Sequence, residues 1–226
     1  MNSLTTTIPT LVRQRLRQIE SEHAVKVVYA CESGSRAWGF ASSDSDYDVR
    51  FLYLRPVEDY LSVRQGKDTL EFALDENELD LAGWDVRKAL ALFSKSNGAL
   101  IEWLYSPEVY VEGGDALTLW RALIPDVLSA KALAGHYLGM AKKTWLGSMQ
   151  ERSVPLKRYL YALRALLAAR WVLHRRLPAP VAFRKLLEFS ELESVVARRV
   201  GDLLRAKQQL SEADAMAPDP VLHAFI

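Results

Sequence analysis

Apolar residues change their spacing along the chain in a way that separates two kinds of structure. Over residues 8–23 they recur at helical intervals, with Leu11, Leu16 and Ile19 on one side. AVKVVYACES, rich in β-branched residues, predicts a strand ending at Ser33. Gly34, Ser35 and Gly39 break that pattern, and DYDVRFLYL then predicts a second strand, ended by Arg55 and Pro56. Residues 68–81, DTLEFALDENELDL, read as two short strands around the polar turn Asp75-Glu76-Asn77.

From Trp84 onward the period is helical. Asp85 is a candidate cap for a helix through Val86, Leu90 and Phe93, with a stop expected at Asn97-Gly98. ALIEWLYSP predicts a short apolar helix that ends before Pro107. Residues 115–150 read as helical with a break near Pro125, and a long helix follows Pro155 to about Arg175. Leu160, Leu163, Leu167 and Trp171 form its apolar stripe. Pro178 and Pro180 are a hard stop, and two further helices are expected over 181–189 and 191–210, before a tail with Pro218 and Pro220.

Strands early and helices late predict an α+β protein. A mixed sheet with flanking helices is expected over residues 1–112, and a helical domain over 113–226. The most linker-like piece is Glu112-Gly113-Gly114, and no internal repeat is visible. At 226 residues the chain is long enough for a substantial core. No apolar stretch has membrane-spanning length, and the first twenty residues or so lack the basic start and apolar core of a signal peptide. With a single cysteine, Cys31, these features predict a cytoplasmic protein without a membrane partner.

Charge changes the picture through its distribution. Residues 1–130 carry 13 Lys/Arg against 20 Asp/Glu, and residues 131–226 carry 16 against 8, which leaves the net +1 of the whole chain. An acidic half joined to a basic half suits a cation-binding site facing a basic wall for phosphates, although basic residues also coat solvent faces of ordinary helices.

The chemistry concentrates in SGSRAWGFASSDSDYDVRF, residues 33–51. Side chains alternate across a strand, so Asp46, Asp48 and Arg50 share one face while Tyr47, Val49 and Phe51 take the other. Two carboxylates a strand-step apart repel each other, and Arg50 or a hard divalent cation would relieve them. The Asp-x-Asp-x-Asp run is not an EF-hand loop, because Val49 and Arg55 stand where that loop needs Gly and Glu. Asp44 is taken as a solvated bystander. Gly34-Ser35, at a strand end, leaves backbone N–H groups and a hydroxyl free for a phosphate. A third acid belongs on a neighbouring strand, where Asp80 sits between Leu79 and Leu81. Glu78 is a weaker candidate, and Asp85 fits a helix cap better.

Strand, Gly-Ser, spacer, Asp-x-Asp on a strand and Asp on a later strand resemble the DNA polymerase β-like nucleotidyltransferase superfamily. Within it, the chain resembles the small bacterial and phage branch labelled RNA-repair-pathway DNA polymerase β family. ESGSRAWGFASSDSDYDVRF, LDLAGWDVRKAL, EWLYSP and KRYLYALRALLAARW carry the resemblance, over about residues 27–171. It implies Mg²⁺-dependent transfer of a nucleoside monophosphate from a nucleoside triphosphate. Gly34 and Ser35 would hold the triphosphate. Asp46 and Asp48 would bind two Mg²⁺ ions, for which Mn²⁺ would substitute, and Asp80 would join them and help activate the attacking hydroxyl. A template-dependent polymerase needs further domains to grip a duplex and 226 residues leave little room for them, so a DNA polymerase is not the expectation. The basic half favours RNA, such as tRNA or RNA ends, as acceptor. A protein or small-molecule acceptor, and a non-catalytic nucleotide- or RNA-binding module, are the alternatives.

Arg36 is a further candidate for a phosphate, with pairing to an acid as its alternative. Trp38 is a candidate for stacking on a base or for burial beside the motif. Lys142, Lys143, Lys157, Arg158, Tyr161 and Arg164 are candidates for the basic wall, each with a solvated surface position as its alternative, and Tyr161 and Arg164 lie one helical step apart. The four histidines show no metal-ligand spacing, and Cys31 reads as a small core residue.

Overall fold

The computed structural model describes residues 7–209 and 214–226, so the expected end of the last long helix at 210, and residues 1–6, lie outside it. Helix α1, Ile8–His23, carries Pro9 in its first turn and buries Val12, Leu16 and Ile19. Strand β1, Lys26–Glu32, leads into the short helix α2, Gly34–Trp38. Strand β2 is Tyr47–Leu54, α3 is Val57–Leu61, β3 is Thr69–Glu71 and β4 is Leu79–Asp85. Then come α4, Val86–Phe93, and α5, Gly98–Leu104, followed by β5, Val109–Glu112. Helices α6, Ala116–Val127, and α7, Ala130–Ser148, precede the two-residue strand β6, Val154–Pro155, and α8, Leu156–Arg175. Helices α9, Phe183–Ser190, and α10, Ser194–Gln209, strand β7, Ala215–Met216, and α11, Pro220–Phe225, complete the chain.

The main sheet has the order β3-β4-β2-β1-β5, with β2 and β4 parallel and every other pairing antiparallel. Strand β4 alternates buried and half-buried residues at every step. Its Leu79 and Leu81 join Val49, Phe51 and the buried face of α1 in one core. Leu52, Cys31 and Tyr29 point to the opposite face, where Ala89, Phe93, Trp103 and Leu117 cover them. Burial pushes the Cys31 thiol up to about 12, so it is an inert packing group. The third core lies among α7–α11 and takes in Phe40 and Ile101 from the first half.

Several local expectations change, among them the start of the helical period, since Trp84 and Asp85 still belong to β4. Asn97 starts a helix rather than stopping one: α4 ends at Phe93, and the Asn97 side chain accepts from the Leu100 amide at the start of α5. Pro125 lies inside α6, and the break falls after it, where Ser129 caps α7. Strand β5, absent from the sequence reading, pairs with β1, and the Gly113 amide beyond it donates to the Val28 carbonyl at 2.9 Å. Among the described residues no helix is long and apolar enough to cross a membrane.

Candidate active site

The parallel register between β2 and β4 puts Asp48 directly opposite Asp80. Leu79 and Leu81 fill the core, so Asp80 is turned to the face that Asp48 occupies. Between them lies Arg50, whose Nη2 donates to Asp48 Oδ1 at 2.7 Å and to Asp80 Oδ2 at 2.8 Å. Its Nη1 donates to the Asp80 carbonyl at 2.9 Å. Burial raises the Asp48 carboxyl above its ordinary range; Arg50 opposes that shift, and the charges of Asp80 and Asp46 add to it.

Gly34 closes the other side. Its φ is +59°, and a Cβ there would sit 1.9 Å from Asp48 Oδ2. Only glycine takes that backbone conformation without strain and leaves room for the carboxylate. Ser35 follows, 4 % exposed. Its carbonyl accepts from the Gly39 and Phe40 amides, which closes α2 against the loop that carries Asp46. Asp46 is exposed and sits one residue before β2 begins, at the mouth of the strand. The sequence reading placed it on the strand itself.

Arg36 is committed to that loop. It donates to the Ser45 carbonyl at 2.5 Å and the Asp46 carbonyl at 3.1 Å, and its guanidinium stacks over Tyr47 at 3.7 Å. The loop is also held from the far half of the chain, by buried Lys207 donating to Ser42 Oγ at 2.7 Å. Asp85 caps α4, accepting from the Arg87 amide at 2.8 Å and from the Tyr60 hydroxyl at 3.1 Å. Glu78 is exposed in the turn before β4 with a φ of +60°.

The other basic and aromatic candidates divide by burial. Lys142 and Lys143 are exposed on α7, and Arg158 and Lys157 are half-buried at the start of α8. Arg164 is only 1 % exposed; it donates to Glu102 at 2.9 Å and lies 4.3 Å over the Trp38 ring. Tyr161 meets the same ring edge-on at 5.2 Å. So Tyr161 and Arg164 do share a helix face, and it is directed at Trp38. Trp38 in turn donates from Nε1 to Glu102 at 3.1 Å.

Glu32 escaped the sequence reading. This buried acid accepts the Asp48 amide at 2.8 Å and the Tyr110 hydroxyl. Burial raises its carboxyl, against those two hydrogen bonds. The signal was an acid closing the apolar run Val27–Cys31, two positions before Gly34-Ser35.

The donor type of this pair is the one a hard cation takes. Two carboxylates from adjacent strands already share one cationic nitrogen, and both bring oxygen donors. Among the described residues, no group of three or more His, Cys, Asp or Glu side chains is gathered tightly enough to hold a metal ion.

A mixed sheet bearing this acid pair, with a Gly-Ser turn against it and a helical second half, is an α+β fold of nucleotidyltransferase type. The model of the RNA repair pathway DNA polymerase beta family matches residues 8–226, and the chain belongs to that family. It is 40 % identical over 211 residues to the uncharacterized protein YcgL of Bacillus subtilis (strain 168), covering 93 % of this chain and 81 % of that protein. A solved nucleotidyltransferase-like protein from Exiguobacterium sibiricum 255-15 covers 87 % of this chain and 73 % of its own, at 15 % identity and a TM-score of 0.35.

Proposed function

We propose that the chain transfers a nucleoside monophosphate from a nucleoside triphosphate to an acceptor hydroxyl, with RNA as the acceptor. The observation that carries this reading is the Asp48–Asp80 pair, in register on adjacent parallel strands and packed against Gly34. In the reaction the acceptor oxygen bonds to the α-phosphorus, the bond from that phosphorus to the β-phosphate bridge breaks, and pyrophosphate leaves. The acceptor hydroxyl gives up its proton.

Asp46, Asp48 and Asp80 would hold Mg²⁺, or Mn²⁺ in its place, which supplies charge neutralisation to the attacking and leaving oxygens. Gly34 leaves room for the Asp48 carboxylate where a Cβ would stand, and the main-chain N–H groups of Gly34 and Ser35 with the Ser35 hydroxyl would hold the triphosphate. Asp80 is the acid placed to take up or orient the acceptor proton. Residues 1–112 supply this site, and the basic helical unit over 113–226 faces the acceptor, with Lys142, Lys143 and Arg158 as its exposed or half-exposed cations. RNA is favoured by that charge and by the family's description.

The test incubates the protein and Mg²⁺ with labelled nucleoside triphosphates and, separately, tRNA, RNA ends and bulk protein. Label on RNA is expected, and label on protein alone would overturn the choice of acceptor. Asp46→Asn with Asp48→Asn should abolish transfer and metal-dependent nucleotide binding while leaving the circular dichroism unchanged. Full activity in that variant removes the site assignment.

A further inference from the structure

We propose that Glu32 is a positioning residue that holds the backbone of Asp48, taking over in the β1–β2 ladder from a carbonyl that the chain withdraws when it turns into α2. The regular pairing of these strands ends at Glu32 opposite Val49. One step further, the Ser33 amide still donates to the Asp48 carbonyl at 2.8 Å. The reciprocal bond, from the Asp48 amide to the Ser33 carbonyl, is missing. That carbonyl instead faces the Ala37 amide at 3.4 Å, inside the turn that Gly34 opens. Glu32 Oε1 supplies the lost acceptor at 2.8 Å. A side chain thereby allows the strand to break off for Gly-Ser without leaving Asp48 loosely held.

Glu32 is itself fixed on every side. Its carboxylate accepts from the Tyr110 hydroxyl of β5, its amide donates to the Glu108 carbonyl at 3.0 Å, and its carbonyl accepts from Ser106 Oγ at 2.6 Å. It is 3 % exposed, so water does not replace these partners. The acid is therefore a rigid link from the edge strand to the amide of the residue that the transfer reading makes a metal ligand. The proposal rests on that reading only for what Asp48 does.

What the position needs is an acceptor toward Asp48, not a charge. A glutamine can present its carbonyl to the Asp48 amide and its NH₂ to Tyr110. Leucine has similar bulk and no acceptor. Glu32→Gln is therefore expected to transfer nucleotide within about threefold of wild type, whereas Glu32→Leu should lose about 10²-fold in kcat with KM for the triphosphate little changed, since small misplacements of reacting groups cost that much. Amide hydrogen exchange provides a readout independent of activity. The Asp48 amide should be protected in wild type and Glu32→Gln and lose protection in Glu32→Leu. If Glu32→Leu does not fold, Tyr110→Phe, which frees only the outer oxygen, should lower kcat several-fold with KM unchanged.

An Asp48 amide equally protected in Glu32→Leu overturns the proposal, as does a Tyr110→Phe variant with unaltered kcat where that variant has to decide. Glu32→Gln as impaired as Glu32→Leu overturns it too, because charge would then be the requirement. A wild type that transfers to no acceptor overturns the transfer reading alone, and the exchange measurement still decides the role of Glu32.

Discussion

Asp48 and Asp80 face each other across parallel strands and are held by the same nitrogen of Arg50, at 2.7 and 2.8 Å. Two like charges so placed each prefer to be neutralised, and Arg50 does this within the protein itself. Arg50→Met removes the guanidinium and leaves two facing acids, one of them raised already by burial. The side chains are partly solvated, so the expected loss is about 1–2 kcal/mol, below that for a fully buried pair. Mg²⁺ or Mn²⁺ should then raise the melting temperature of the variant more than that of wild type. Thermal melts with and without metal check this, and equal metal responses would count against a cation site at this pair.

Gly34 and Gly39 bracket α2, both with positive φ, and they separate two effects of adding a methyl group. At Gly39 nothing lies within 4 Å of a Cβ, so Gly39→Ala carries only the backbone penalty, about 1 kcal/mol, and should keep most activity. At Gly34 the Cβ would overlap Asp48 Oδ2, so the backbone or the carboxylate has to move. Gly34→Ala should cost about 1–3 kcal/mol and reduce transfer about 10²-fold or more. Melting curves and transfer rates for the two variants, side by side, test the distinction.

Much of this site follows from period-two alternation. That pattern puts Asp48 and Arg50 on one face, and an acid between Leu79 and Leu81 turns to the same side once β4 pairs with β2. Helical positions were less legible. Arg164 on α8 looks in sequence like a solvent-facing cation, because nothing local shows that Glu102, 62 residues earlier, will bury beside it. Glu32 was hidden for the same reason: its acceptor role exists only because the Ser33 carbonyl turns away. Strand β5 has four residues at a sheet edge, too few for its alternation to stand out. Asn97 and Gly98 are residues of helix ends and helix starts alike, and packing made them a start.

His136 sets a pH dependence. It is half-buried over Gly98, and burial lowers its pKa, opposed by the nearby Glu102 charge. As pH falls through the ordinary histidine value, about 6.5, the unfolded chain takes up a proton before the folded one does. The unfolded state then binds more protons, so stability falls with falling pH until the depressed folded value is passed. Above the ordinary value the histidine is neutral in both states and exacts no penalty. His136→Gln, which does not titrate, should show a smaller loss of unfolding free energy between pH 7.5 and 5 than wild type. Denaturant titrations at both pH values decide it, and equal losses would rule out this histidine as the cause.

Arg164 provides a test of whether a buried cation is structural or part of the phosphate wall. Its side chain is 2 % exposed and that of Glu102 is 10 % exposed, and the other Glu102 oxygen accepts from Trp38 Nε1. Arg164→Met leaves Glu102 buried with its charge unpaired, at an expected cost of about 3–5 kcal/mol. Adding Glu102→Gln removes that charge and keeps an acceptor for the Trp38 indole, so the double variant should regain a large part of the loss. A phosphate-binding arginine would behave differently, because neutralising Glu102 cannot restore a missing contact to the triphosphate. The structural position predicts that the double variant folds with KM for the triphosphate near wild type. Strict additivity of the two stability changes, or a KM raised tenfold in a well-folded double variant, would place Arg164 in the binding site instead.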